Sequence, residues 1–235
     1  MLLFAMLACV KQPSGDTARR FETGDTALGD TGAAPEPPIG PCGPWSGVRR
    51  IGTRWNVRAT QAYIDRFGWD GGGAYEVVDD TADHTVIHYT ARFESEDAWF
   101  DVDRTETWRC DSAGAWWLAS DVKTEGRTST ADIGLTATRT FEPGWLVRPA
   151  TMESGTTWND SFEVTTNVEG VGASTESVAC TTLAEEEVDH TVAAGVFSAI
   201  RLAVDCAGFG AAQPWLAEGT GPIDDGDVEL ANYVP

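Results

Sequence analysis

The sequence predicts one all-β domain, folded as a single antiparallel sheet that is strongly curved or barrel-like and has about ten strands. Two observations carry this prediction. From Cys42 onward, short stretches of β-branched and aromatic residues alternate with Gly, Asp and Pro, which interrupt strands. No segment of about ten residues has the periodicity of an amphipathic helix. Many short strands in one chain are typical of a single all-β domain rather than of an α/β fold.

The predicted strands are separated by turn-forming residues, most clearly at 70–73 and 111–114. Alternation is plainest between 85 and 93, where Ile87, Tyr89 and Phe93 fall on one face. The candidate strands are 53–63, 74–78, 85–93, 99–109, 116–123, 135–141, 157–166, 174–182, 187–192, 197–204 and 228–233.

A tight hairpin is predicted in EEEVDHTVAAGVFSAIRLAVDC, with its turn near 193–195. Residues that face each other across such a hairpin have numbers summing to about 387. Cys180 and Cys206 sum to 386. Because cross-strand neighbours lie within reach of a disulfide, we expect these two cysteines to be bonded. By elimination, the second predicted disulfide joins Cys42 to Cys110.

The charge of the chain excludes some classes of partner. There are 37 acidic residues against 16 basic ones, and the net charge is −21. Such a chain is repelled by the phosphates of nucleic acids and by anionic lipid head groups. Nucleic-acid binding is therefore not predicted, and any membrane attachment has to be apolar or covalent.

The fifth cysteine, Cys9, follows a short apolar run at the start of the chain. Met6-Leu7-Ala8-Cys9 resembles a bacterial lipobox, in which the cysteine is lipidated and becomes the mature N-terminus. The sequence therefore predicts a lipoprotein-type signal segment over residues 1–8 and lipidation of Cys9. Since this run is short and no Lys or Arg precedes it, we expect the start codon to lie upstream.

The stretch behind Cys9 is built from Gly, Asp, Thr, Ala and Pro, and Gly-Asp-Thr recurs in it. It cannot bury enough apolar surface to offset its ordering entropy, so residues 9–41 are predicted to be a disordered tether that carries the lipid. A flexible coil of this length spans roughly 30 Å. The β-domain is predicted to occupy residues 42–235.

Two parts of the chain resemble known groups of proteins. The short lipobox with its Gly-Asp-Thr-rich tether is similar to those of lipoproteins from high-GC Gram-negative bacteria such as myxobacteria. The order Ala194-Gly195-x-Phe197, then Trp215-x-Ala217-x-Gly219-x-Gly221, then Leu230-x-x-Tyr233 resembles the C-terminal pattern of bacterial envelope lipoproteins of uncharacterised function. The resemblance implies a curved antiparallel sheet and an envelope location, and it transfers no activity. The chain departs from the pattern at Glu218 and Thr220.

Localisation follows from the anchor. The predicted partner of Cys9 is the membrane, reached through the lipid. Val10 replaces the Asp that retains lipoproteins in the inner membrane of enteric bacteria, so the outer membrane is the predicted location.

No catalytic or metal-binding set is predicted. His84 and His88 are spaced as zinc ligands on a helix, but in a strand they lie about 13 Å apart, on the wetter face of the sheet. His190 follows Asp189, yet no Gly-x-Ser-x-Gly elbow accompanies it. The run 224–227 lacks the closing Glu of a calcium loop and is predicted to be an exposed turn, with calcium as the alternative. We predict neither cofactor nor catalysis; an enzyme of unrecognised type is the remaining alternative.

The chain has 10 tryptophans. Most are expected in the core, and adjacent Trp116 and Trp117 must point to opposite faces of their strand. Trp99, Trp108, Trp116 and Trp117 are also candidates for lining a ligand site. Our first hypothesis is a non-enzymatic, lipid-anchored envelope protein with a structural or partner-binding β-domain. The alternative is a carrier that holds an apolar ligand, such as a lipid or glycan, in an aromatic-lined concavity.

Overall fold

A computed structural model describes Cys42, Gly43, Trp45 and residues 50–235. Within these residues the fold is antiparallel β throughout, as predicted. The predicted signal segment, the predicted lipidation site Cys9 and the predicted tether lie outside the described residues.

The described chain forms thirteen strands and one helix. All the strands belong to one sheet and pair in antiparallel fashion. The elements are β1 Arg54–Ala59, α1 Gln61–Phe67, β2 Asp70–Asp80, β3 Thr85–Glu94, β4 Trp99–Asp111, β5 Gly114–Arg127, β6 Asp132–Pro149, β7 Thr157–Val168, β8 Gly172–Val192, β9 Gly195–Cys206, β10 Gly210–Ala212, β11 Trp215–Ala217, β12 Gly221–Asp224 and β13 Val228–Val234.

The sheet closes into a barrel. Its order runs β9, β11, β12, β13, β1 and then β2 to β8 in sequence, and β8 pairs again with β9. β10 is an additional strand that pairs with the last residues of β9. Closure gives every strand of the ring an inward and an outward face, which decides where each alternating side chain lies.

The strand β3 shows why the alternation predicts this fold. Its inward residues Thr85, Ile87, Tyr89, Ala91 and Phe93 are all buried, and the residues between them are not. The inward face continues in register across the neighbours, since Tyr89 pairs with Tyr75 on β2 and with Arg104 on β4.

The predicted strand 53–63 is wrong at its end. β1 stops at Ala59, and α1 begins at Gln61. The Thr60 hydroxyl accepts a hydrogen bond from the Tyr63 N–H at 3.1 Å, and Gly68 ends the helix in the left-handed conformation at φ 72°. Tyr63 is buried and its ring lies 6.0 Å from that of Phe93, so packing onto β3 holds the short helix in place.

Both predicted disulfides are present. Cys180 pairs directly with Cys206 across the β8–β9 hairpin, with the Cα atoms 4.0 Å apart. Near the turn, Val192 pairs with Gly195, so the residue numbers of a facing pair have a sum one higher there than at Cys180 and Cys206. A bulge between Ala184 and Glu187 absorbs that difference.

The second disulfide joins Cys42 to Cys110 on β4, with a Cα separation of 5.0 Å. It holds the segment that precedes β1 against the barrel. Trp45 also attaches this segment to the barrel, because its indole N–H donates a hydrogen bond to the Met152 carbonyl at 3.0 Å.

Candidate functional site

The four tryptophans proposed to line a ligand site do not lie together. Trp108 and Trp117 face the barrel interior, where their rings stack with centroids 5.7 Å apart. Trp117 also packs on Phe141 at 4.8 Å and on Trp145 at 5.9 Å. Most of these ring faces are therefore covered by other rings of the same chain.

Trp99 and Trp116 lie on the outer face instead. The guanidinium of Arg92 is 4.7 Å from the ring centroid of Trp99, and that of Arg109 is 5.0 Å from the ring of Trp116. Trp116 and Trp117 do point to opposite faces, as predicted. Alternation along β4 and β5 divides the four candidates between the two sides of the closed barrel, so they do not share one site.

The interior contains a buried ion pair that the sequence analysis missed. Arg104 Nε lies 2.9 Å from Glu106 Oε1, and the indole N–H of Trp108 donates to Glu106 Oε2 at 2.9 Å. Arg104 Nη2 also donates to the Tyr75 hydroxyl at 3.1 Å. Alternation in the sequence could have indicated this pair, since residues 100, 102, 104, 106 and 108 share one face of β4 and the other three are apolar.

Aromatic rings complete the surroundings of this pair. Tyr75 and Tyr89 stack with centroids 4.2 Å apart, and the Arg104 guanidinium lies 4.9 Å from the centre of the Tyr89 ring. Burial raises the pKa of both tyrosines. Burial opposes the charge on Arg104, but Glu106 and the two phenols outweigh it and raise the pKa of the guanidinium. Arg104 therefore keeps its charge inside the barrel, and its contacts with Glu106 and the two tyrosines form a structural network that joins β2, β3 and β4.

The histidines have separate partners. His84 Nε2 lies 3.4 Å from Asp79, and His88 Nε2 lies 2.9 Å from Asp103, both on the exposed side of the sheet as expected. In the part of the chain that the structure describes, no group of three or more His, Cys, Asp or Glu side chains is placed to hold a metal ion.

His190 pairs with a carboxylate distant in sequence rather than with Asp189. Its Nε2 lies 2.9 Å from Asp224 Oδ2, and its ring stacks on Trp215 at 4.1 Å with the planes 4° apart. Arg201 lies 5.6 Å from the centre of the same indole and forms an ion pair with Glu185. These contacts join β8, β9, β11 and β12 at one place on the barrel.

The run 224–227 forms a turn, as predicted. Asp224 Oδ1 accepts from the Gly226 N–H at 2.7 Å, and Asp225 Oδ1 accepts from the N–H groups of Asp227 and Val228 at 3.0 and 2.9 Å. These two carboxylates therefore cap the turn. Burial, together with the nearby Asp225 charge, raises the pKa of Asp227.

Replacing Asp227 with asparagine should stabilise the protein at pH 7. A carboxyl whose pKa is raised on folding contributes stability only while it is protonated, and this stability is lost as the pH rises through the raised pKa. We expect a gain of about 0.5–2 kcal/mol in the free energy of unfolding at pH 7. The gain should vanish below about pH 3, where the carboxyl is neutral in both states. Urea unfolding at the two pH values measures it.

The matched control is Asp225→Ala, which removes the acceptor of two backbone N–H groups in the same turn. It should lower the free energy of unfolding by about 1 kcal/mol. The raised pKa of Asp227 would be contradicted if the stability gained by Asp227→Asn over wild type were no larger at pH 7 than at pH 3.

A free strand edge and a groove lie together beside this cluster. β7 begins at Thr157, which pairs with Leu183, and from Glu187 to Val192 β8 pairs only with β9. An open groove of about 490 Å³ lies at this point, with Val188, Arg201 and Trp215 in its lining. The hairpin and the start of β7 at residue 157 were predicted from the sequence, but the continuation of β8 as one strand from Gly172 to Val192, past the end of its pairing with β7, was not. We take this edge and groove as the candidate functional surface.

No helix within the described residues is long and apolar enough to cross a membrane. Comparison of the chain with protein-family models, with curated proteins and with solved structures finds no match.

Proposed function

We propose that this protein is a lipid-anchored envelope protein whose β-barrel is a non-enzymatic module for binding a partner. The observation that carries the proposal is the contrast between the two faces of the barrel. Inside, the aromatic rings pack on one another, and Glu106 pairs with Arg104 and accepts from the Trp108 indole N–H. Outside, the backbone of β8 beyond Leu183 has no neighbouring strand on the β7 side among residues 50–235. This contrast supports recognition on the outer surface, with the packed interior as its scaffold.

The same contrast favours a partner-binding role over the alternative carrier. A ligand site for a lipid or glycan needs open aromatic faces. The rings of Trp108 and Trp117 stack on each other, and the rings of Trp99 and Trp116 are each covered by an arginine guanidinium.

Attachment is assigned to Cys9. The net charge of −21 opposes adsorption to anionic lipids, which supports an apolar or covalent attachment, and a lipid on Cys9 would supply it. The four other cysteines form two disulfides with each other, which leaves Cys9 out of the pairing in the barrel. The tether would hold the barrel off the bilayer at the outer membrane.

The test is metabolic labelling with radioactive palmitate in a Gram-negative host, with the gene and its native upstream region. Wild type should be labelled and should fractionate with the outer membrane. Cys9→Ser should lose the label and appear in the soluble fraction. The double variant Cys180→Ser, Cys206→Ser is the matched control and should keep the label. Label retained by Cys9→Ser, or absent from wild type, would overturn the anchoring.

A further inference from the structure

We propose that the free edge of β8, residues 185–192 on the side away from β9, binds an extended, basic segment of a partner protein by strand addition. The inference rests on the proposed partner-binding role and deepens it, because it names the surface and the chemistry of the partner.

The first observation is where strand pairing stops. The last residue pair between β7 and β8 is Thr157 with Leu183. Two backbone hydrogen bonds follow: Gly155 N–H donates to the Ala184 carbonyl at 2.7 Å, and Ala184 N–H donates to the Thr156 carbonyl at 2.8 Å. Beyond Ala184, within residues 50–235, β8 pairs only with β9. Alternate residues of an antiparallel strand direct N–H and C=O groups to each side, so part of this backbone faces no strand.

The second observation is the bulge at Glu185 and Glu186. It shifts the register between Ala184 and Glu187, and strands bend and twist at such a point. The groove of about 490 Å³ opens there. Ser154 and Gly155, just before β7, line one part of the groove, and Arg201 on β9 and Trp215 on β11 line another. An added strand gains affinity from backbone hydrogen bonds and specificity from a pocket for alternate side chains, and this edge offers both.

The third observation is charge. Glu185 is paired with Arg201, and Glu187 accepts from the Ser198 hydroxyl at 2.6 Å. Glu186 and Asp189 have neither an ion pair nor a hydrogen bond from their carboxylates in the part of the chain that the structure describes. Two uncompensated carboxylates beside a free edge select lysine or arginine in the incoming strand. The net charge of −21 adds long-range attraction for a basic partner.

Charge also decides between a partner protein and a second copy of this chain. Pairing of two β8 edges would bring Glu186 and Asp189 of one molecule against acidic residues of the other. Charged residues on an exposed edge prevent such self-pairing. A basic partner is the occupant that this edge favours.

The test uses the full-length chain and fluorescence anisotropy of a labelled peptide with alternating lysine and valine. Wild type should bind it with micromolar affinity, typical of a transient contact. A glutamate–valine peptide should not bind. A lysine–valine peptide with alternate backbone nitrogens methylated keeps the charge but cannot pair as a strand, and it should lose at least tenfold in affinity.

The protein variants separate charge at the edge from charge elsewhere. Glu186→Lys with Asp189→Lys should weaken binding of the lysine–valine peptide at least tenfold. Asp121→Lys with Glu169→Lys makes the same charge change at exposed sites away from the edge and should stay within about twofold of wild type. The milder pair Glu186→Gln with Asp189→Asn should give an intermediate loss, and it covers the case in which charge reversal disturbs folding.

Equal binding of the methylated and unmethylated peptides would overturn strand addition and leave only non-specific attraction. Equal effects of the two charge-reversal pairs would overturn the location. Concentration-dependent dimers of wild type that the β8 edge variants abolish would assign the edge to a second copy instead. If the peptide does not bind but Cys9 is still labelled by palmitate, the edge proposal is wrong and the anchoring proposal stands. If the peptide binds but Cys9 is not labelled, only the anchoring proposal is wrong.

Discussion

Replacement of Glu106 by alanine is expected to lower the free energy of unfolding by about 3–5 kcal/mol, the usual cost of removing one partner of a buried ion pair. The variant leaves the Arg104 charge inside the barrel without its carboxylate and also removes the acceptor of the Trp108 indole N–H. Equilibrium unfolding in urea, followed by tryptophan fluorescence and by circular dichroism, measures the loss.

The matched control is Glu125→Ala, which breaks the ion pair with Lys123. Both of those side chains are more than half exposed, so the loss should be at most about 1 kcal/mol. A rescue variant, Arg104→Met with Glu106→Leu, removes both charges and should recover most of the stability. If Glu106→Ala costs no more than Glu125→Ala, the buried network does not stabilise the barrel as we describe.

Removal of the Cys42–Cys110 disulfide should be the second large effect. The sequence separation is 68 residues, against 26 for Cys180–Cys206. The loop-entropy model gives about 4.4 kcal/mol for the first and about 3.5 kcal/mol for the second. Double serine variants of each pair, unfolded in urea without reductant, compare the two losses directly.

A structural reason reinforces the predicted order. Cys180 and Cys206 form the last residue pair of a hairpin that strand pairing already holds together from the turn up to the bond. Cys42 precedes β1, and both the disulfide and the Trp45 indole, which donates to the Met152 carbonyl, attach this segment to the barrel. A larger loss for the hairpin disulfide than for Cys42–Cys110 would contradict this account.

Local patterns predicted the strands whose two faces differ most. β3 was recognisable because inward residues such as Ile87 and Phe93 alternate with polar ones. Alternation did not reveal β10, β11 and β12, since strands of three or four residues are too short to show a period. α1 was missed for a related reason: seven residues fall below the length at which helical periodicity is visible, although Thr60 and Gly68 carried the capping signals.

For the candidate functional surface, the sequence predicted the local parts but not the exposed edge. The acidic run in β8 and its hairpin turn were visible in the chain, and so was the pairing of Cys180 with Cys206. That 174–182 and 187–192 form one strand, which extends past the start of β7, was not predicted, because the bulge between Ala184 and Glu187 interrupts the alternation. The contact of His190 with Asp224 likewise joins strands that are 34 residues apart.

The sequence by itself determined most of the longer strand-forming segments, the antiparallel class, the tight β8–β9 turn and, through the turn, the register that bonds Cys180 to Cys206. Each of these depends on residues close in the chain, where side-chain alternation and turn chemistry act directly. Only the tertiary structure decided which face of each strand is inside. That choice required β8 to meet β9 and close the ring, and it placed Trp108 and Glu106 in the core, Trp99 and Trp116 outside, and the end of β8 without a neighbour. Ring closure joins residues distant in sequence, and alternation along one strand cannot tell its inner face from its outer one.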